Sequence, residues 1–246
     1  MSRADGGDHP ESVSMMNPLQ PIYLFADSRL LFQRHQGVLF LDSLRRLVAH
    51  DAPRAAYVGA SNGDAPAYYL IFKAAMEGIG IHHCRMIHSS FPAEDQAYLN
   101  EADIILLAGG DVAAGWKVFK ETGIGELIVK RYYEGTLLIG ISAGAVQLGL
   151  CGVRDTGEGF EELFETFKLL PIVIDVHDEK RQWGGLKRAI SLAGGVAKGI
   201  GIPTGGGLIY YPDQSLAAIG HAVFECSIQD GEIRDALLPP ATEGAA

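Results

Sequence analysis

Three features of the sequence predict an α/β fold built on a mainly parallel sheet with helices on both faces. Short apolar runs alternate with helical stretches from Pro21 to Gly149, in the order β-α-β-α-β-α-β-α-β. The run Asp103 to Leu107 is continuously apolar after its first residue, as a strand covered on both faces requires. Glycine-bearing loops follow three of the runs: Ser61-Asn62-Gly63, Gly109-Gly110-Asp111 and Gly140-Ile141-Ser142-Ala143-Gly144. With right-handed crossovers these loops converge at the carboxyl edge of the sheet, where such folds bind ligands.

Taken in order, Pro21 to Ala26 reads as the first strand. Leu41, Leu44, Leu47 and Val48 form a helical stripe within Leu39 to His50. Arg54 to Ala60 is the second strand, and Asn62-Gly63 is turn chemistry. Pro66 suits a helix start, so Ala67 to Glu77 is a helix that stops near Gly78 and Gly80. Ile81 to His88 is the third strand. Its adjacent His82 and His83 point to opposite faces, which makes a poor metal pair. Pro92 to Glu101 is a short helix, Asp103 to Leu107 the fourth strand, and Asp111 an N-cap for the helix through Trp116 and Phe119. A further helix spans Glu126 to Tyr133.

Thr136 to Gly149 then reads as fifth strand, tight turn and helix. Ser142 at the turn completes the G-x-S-x-G pattern of a nucleophile elbow. An elbow needs small neighbours, and Gly140, Ala143, Gly144 and Ala145 supply them. The serine hydroxyl is thereby presented at a helix N-terminus, where backbone N–H groups favour a developing oxyanion. Beyond it, Arg154 to Glu162 reads as a polar acidic loop, and Phe167 to Val176 as a strand that delivers His177. Gly185 to Leu192 is a short helix. Short strands and turns follow, at Gly201-Ile202, Gly207 to Tyr211, Leu216 to Ile219 and Val223 to Ile228. The domain reading is a disordered tail over 1–20, one α/β domain over 21–238 and a loose tail over 239–246.

Composition narrows the function classes. The formal net charge of -10 argues against a nucleic-acid or anionic-membrane partner. The three cysteines, Cys84, Cys151 and Cys226, are widely spread in apolar surroundings, so reduced thiols and a cytoplasmic location are expected. The polar N-terminus lacks the basic-then-apolar pattern of a secretory signal. Neither a zinc signature nor a dinucleotide fingerprint is present, so no metal and no cofactor is expected.

A nucleophilic serine needs a base, and the base needs an orienting group. Of eight histidines, His177 sits at a strand's carboxyl end, on the edge expected to carry the elbow. His221, with an acid such as Asp175 or Asp213, is the alternative base in an esterase of the α/β-hydrolase type. A non-catalytic binding module, with Ser142 only capping a helix, is the third reading. Candidate orienting acids are Asp155, Glu158, Glu161 and Glu162, with Glu158 the freest to turn inward between Gly157 and Gly159. Asp175 shares a strand face with His177 and either orients it or binds substrate. The N–H groups of Ala143 and Gly110 are the candidate oxyanion donors.

Ala108-Gly109-Gly110-Asp111, Gly140-Ile141-Ser142-Ala143-Gly144-Ala145 and Asp175-Val176-His177 together resemble the serine peptidase family of aspartyl dipeptidase (peptidase E) and cyanophycinase. The resemblance runs from about Ile22 to Ile219. It implies a flavodoxin-like, class I glutamine amidotransferase-like fold, with serine in the place of cysteine. It implies Ser142 as nucleophile, His177 as base, Glu158 as acid, and Gly110 with Ala143 as oxyanion hole. Asp111, Asp175 and Arg181 are then the substrate-binding candidates, and the partners are a small acidic peptide and a second copy in a homodimer. Val176 stands where cyanophycinases carry Gln, and Gly201-Ile202-Pro203-Thr204 where they carry Gly-Ile-Asp-Glu, so the resemblance points to short peptides with an N-terminal Asp-type residue rather than to cyanophycin.

Overall fold

The computed structural model describes residues 18–35, 37–48, 50–155, 161–195 and 197–240. Most of both expected tails lies outside these residues. A seven-stranded sheet forms the centre. Its parallel strands are β1 (Ile22–Phe25), β2 (Arg54–Val58), β3 (His83–Ile87), β4 (Ile104–Leu107) and β5 (Leu137–Ile141). They lie side by side in the order β1-β5-β4-β2-β3.

Alternation along each strand divides the core into two layers. Ile22, Leu24, Ala56, Val58, Ile105, Leu107 and Leu138 face one side. There they meet Leu99 from α3 (Ala93–Asn100), Phe119 from α4 (Val112–Thr122), Ile124 and Ile128 from α5 (Ile124–Tyr133), and Leu148 from α6 (Ala143–Leu148). Tyr23, Phe25, Ala55, Tyr57, Ile104, Leu106 and Ile139 face the other side. They meet Leu41 and Leu44 of α1 (Leu41–Leu47), and Phe72 and Met76 of α2 (Pro66–Glu77). Every residue of β1, β4 and β5 is buried, which accounts for their uninterrupted apolar character.

The chain then departs from a single sheet. Ile172–Val176 pairs in parallel with Lys198–Ile202 and belongs to a second, four-stranded sheet. Val223–Gln229 and Glu232–Leu238 complete that sheet. Strand Glu232–Leu238 escaped the sequence reading because nearly all its side chains are exposed, leaving no apolar alternation to detect. The helix Gly184–Leu192 covers the sheet through Leu186, Ala189 and Ile190, with Trp183 stacked on Phe224 at 5.7 Å between centroids. Gly207–Tyr210 and Leu216–Ile219 instead extend the central sheet, antiparallel, beside β1. The stretch expected as an acidic loop contributes to a hairpin, Cys151–Asp155 against Glu161–Glu165. No described helix is long and apolar enough to cross a membrane.

Candidate active site

The elbow is built by exclusion of side-chain bulk. A Cβ on Gly144 would stand 2.2 Å from the carbonyl oxygen of Leu107, and one on Gly140 would stand 2.7 Å from the backbone nitrogen of Ala145. Helix α6 can therefore pack against β4 and β5 only with glycine at both places. Between them Ser142 takes φ +50° and ψ −112°, a region costly for any residue with a Cβ. The bend is held from both sides. The N–H of Ser142 donates to the carbonyl of Phe25 at 2.9 Å, and its carbonyl accepts from Ala145 and Val146.

The Oγ of Ser142 makes no capping bond to α6. It lies 3.0 Å from Nε2 of His177. His177 follows the last residue of Ile172–Val176, donates its N–H to the carbonyl of Ile202 at 2.9 Å, and takes φ +46°. Its imidazole is solvent-accessible. The alternative base, His221, lines a different groove with Arg29, Gln33 and Gly205.

The three glycine-bearing loops meet at this point. Asn62 donates to the carbonyl of Gly109 at 3.2 Å, and Asp111 donates its N–H to the carbonyl of Ser61 at 2.7 Å. Gln147 of α6, fully buried, donates to Ser61 Oγ at 3.0 Å and to the Val112 carbonyl at 2.9 Å. Gly110 has φ +140°, and a Cβ there would fall 1.9 Å from the Ser61 carbonyl oxygen. A Cβ on the neighbouring Gly109 would lie 3.1 Å from that of Ser142. The N–H groups of Gly110 and Ala143 have no protein acceptor among the described residues.

The remaining candidates divide. Asp111 is the N-cap of α4, accepting from the N–H of Ala114 at 2.8 Å, and it is exposed. Asp175 and Arg181 line a cavity of about 700 Å³ together with His177, Asp178, Lys180 and Arg188. Burial pushes the carboxyl of Asp175 above its ordinary value, against the N–H groups of Val176 and Leu186 that favour its ionised form. Arg181 is solvent-exposed, 3.8 Å from Asp178. Glu158 lies outside the described residues.

The sequence reading overlooked Glu179. Burial pushes its carboxyl up, but hydrogen bonds from Thr204 and its own N–H, with the charge of the nearby His177, hold it below the ordinary carboxylate range. Its Oε2 is buried and makes no hydrogen bond. The signal available in sequence was its position two residues beyond His177.

A second cavity, of about 280 Å³, opens beside Ser142 and is lined mainly by apolar and aromatic side chains, with Asp27, Ser28 and Asn62 among them. Among the described residues, His177 alone borders both cavities.

The family model of Peptidase family S51 matches residues 28–210. The fold is similar to the crystal structure of a peptidase from an acI-B1 Actinobacterium, with TM-score 0.65 and 15% identity, over 91% of this chain and 96% of that one. It is also similar to a Listeria monocytogenes EGD-e protein described as a peptidase E, with TM-score 0.54 and 15% identity, over 90% of this chain and 100% of that one. No curated protein matches the chain.

Proposed function

The chain belongs to peptidase family S51 and is a serine-type peptidase, and on that premise we propose that it hydrolyses short peptides with an N-terminal acidic, Asp-type residue through an acyl-enzyme. Ser142 Oγ attacks the scissile carbonyl while His177 Nε2 takes its proton. The oxyanion is held by the N–H groups of Gly110 and Ala143. As the C–N bond breaks, His177 returns the proton to the leaving amine. Water, deprotonated by the same imidazole, then releases the acid from Ser142.

The observation that carries this reading is the 3.0 Å contact between Ser142 Oγ and His177 Nε2, on a serine whose hydroxyl does not cap its helix. The N–H groups of Gly110 and Ala143, without a protein acceptor among the described residues, support the oxyanion assignment. Lys180 and Arg181, in the larger cavity with His177, are suited to the substrate carboxylate, and Asp175 in the same cavity to its free amine. The carboxylate that orients the imidazole is assigned to Glu158. We place the protein in the cytoplasm, in line with its three unpaired thiols.

The test is hydrolysis of an Asp-X dipeptide panel by the wild-type protein and by Ser142→Ala. Activity confined to the wild type is expected. Full activity in Ser142→Ala would remove the proposal.

A further inference from the structure

The smaller cavity says what stands opposite the acidic residue of the substrate. It is bordered by both Ser142 and His177, and its walls are Leu31, Tyr57, Tyr68 and Phe72, with Leu106 and Ile141 beneath. Tyr57 and Phe72 are buried, with their rings 5.5 Å apart. The hydroxyl of Tyr57 already accepts from Asn62 at 2.9 Å, so the ring presents its apolar body to the cavity. At the rim, Tyr68 and Ile71 of the helix Pro66–Glu77 are 56% and 37% exposed, large apolar groups left facing water in the free protein.

No lysine or arginine lines this cavity among the described residues. Its one charged side chain is Asp27, whose two oxygens accept from the N–H groups of Arg29 and Gly205, both at 2.8 Å, and whose Oδ2 lies 3.9 Å from Nε of the exposed Arg29 side chain outside the lining. A substrate carboxylate placed here would lose its water and meet a like charge, while the Arg29 guanidinium outside the cavity already faces Asp27. The cationic side chains lie across the imidazole, in the other cavity.

We infer, resting on the peptidase reading above, that the smaller cavity binds an apolar and preferably aromatic side chain on the leaving-group side of the scissile bond. The substrates are then acidic–apolar dipeptides. The imidazole between the two cavities serves the leaving amine, with the acidic side chain to one side of it and the apolar side chain to the other. A volume of about 280 Å³ accommodates a phenylalanine or leucine side chain.

The experiment compares kcat/KM for Asp-Phe, Asp-Leu, Asp-Ala and Phe-Ala with the wild-type protein, Tyr68→Ala and Ile71→Ala. Wild type is expected to favour Asp-Phe and Asp-Leu over Asp-Ala by about 10- to 100-fold, the scale set by burying a large apolar side chain. Tyr68→Ala should cut the Asp-Phe to Asp-Ala ratio several-fold, mainly through KM. Tyr68 is largely exposed, and Ile71→Ala tests the same wall should that variant fold poorly. Equal kcat/KM for Asp-Phe, Asp-Leu and Asp-Ala would overturn the inference while leaving the acidic-residue reading in place. Phe-Ala cleaved faster than Asp-Phe would also overturn it, by seating the apolar residue on the acyl side. No hydrolysis of any Asp-X peptide would strike the underlying substrate reading and this inference with it.

Discussion

Ser142 and His177 stand 3.0 Å apart, and each holds a positive φ, +50° and +46°, that its side chain disfavours. Strained backbone of this kind persists where the surrounding structure fixes it, and it concentrates at functional sites. Here the strain is local to the two residues in contact, and both are tied by backbone hydrogen bonds, to Phe25 and to Ile202.

Removal of either partner should lower kcat/KM by about 10⁴-fold or more, the scale seen when a nucleophile or its base is deleted. Ser142→Ala and His177→Ala should melt within a few degrees of wild type. Ser142→Gly should be equally inactive yet melt higher than Ser142→Ala, because glycine relaxes the positive φ that alanine retains. Differential scanning calorimetry of the two serine variants makes that comparison.

Gly110→Ala should damage the site through the backbone. The added methyl would fall 1.9 Å from the Ser61 carbonyl oxygen at φ +140°. The loop must move, and with it the N–H proposed to hold the oxyanion. We expect kcat to fall about 10²-fold or more, the effect of losing one such donor, with a smaller change in KM. Steady-state kinetics on one Asp-X dipeptide checks the split.

Asp175→Asn should trade activity for stability in a pH-dependent way. The folded-state carboxyl titrates above its unfolded value because burial disfavours its charge. The fold therefore has its full stability below the ordinary carboxylate range and loses some as pH rises through the raised value. Asparagine keeps an acceptor for the N–H of Val176 and removes the charge. The variant should melt about 1–3 °C above wild type at pH 7 and level with it at pH 3. If Asp175 holds the substrate amine, the same variant loses activity at pH 7, where the wild-type carboxylate is charged.

Asp95→Asn should destabilise the protein at neutral pH. The Asp95 side chain is fully buried, accepting from Arg85 at 2.6 Å and from the His88 N–H at 2.9 Å. Burial raises its carboxyl, but His88 and Arg85 together hold it below the ordinary range. That stability is present above the unfolded value and is lost as pH falls through the lowered one. Breaking the pair should cost about 3 kcal/mol at pH 7, and less in acid, by urea denaturation.

Much of the fold was legible because the central strands are buried on both faces, and β4 and β5 carry no polar residue to obscure them. The elbow was legible because glycines 140 and 144 have no substitute at 2.7 and 2.2 Å from backbone atoms. His177 could be selected by its strand-end position, though nothing in its sequence neighbourhood announced that its strand belongs to a second sheet. Glu179 was missed although it lies two residues from His177, because the Thr204 groups that hold its carboxyl low follow a different strand. The apolar cavity was equally hidden. Its walls come from Leu31, Tyr57, Tyr68 and Phe72, which read locally as ordinary core or surface residues.

One consequence follows from where the two reacting groups are mounted. The hydroxyl belongs to the seven-stranded sheet and the imidazole to the four-stranded one. Proton transfer thus spans the seam between two sheet-based halves that share one core, with α6 in the same cluster as Ile172 and Ile174. A slip of half an ångström between the halves changes the transfer distance directly, with no residue near the chemistry altered. Turnover in this protein is consequently a gauge of how tightly the halves are seated, and a truncating substitution at Leu148 or Ile172 should lower kcat as well as the melting temperature.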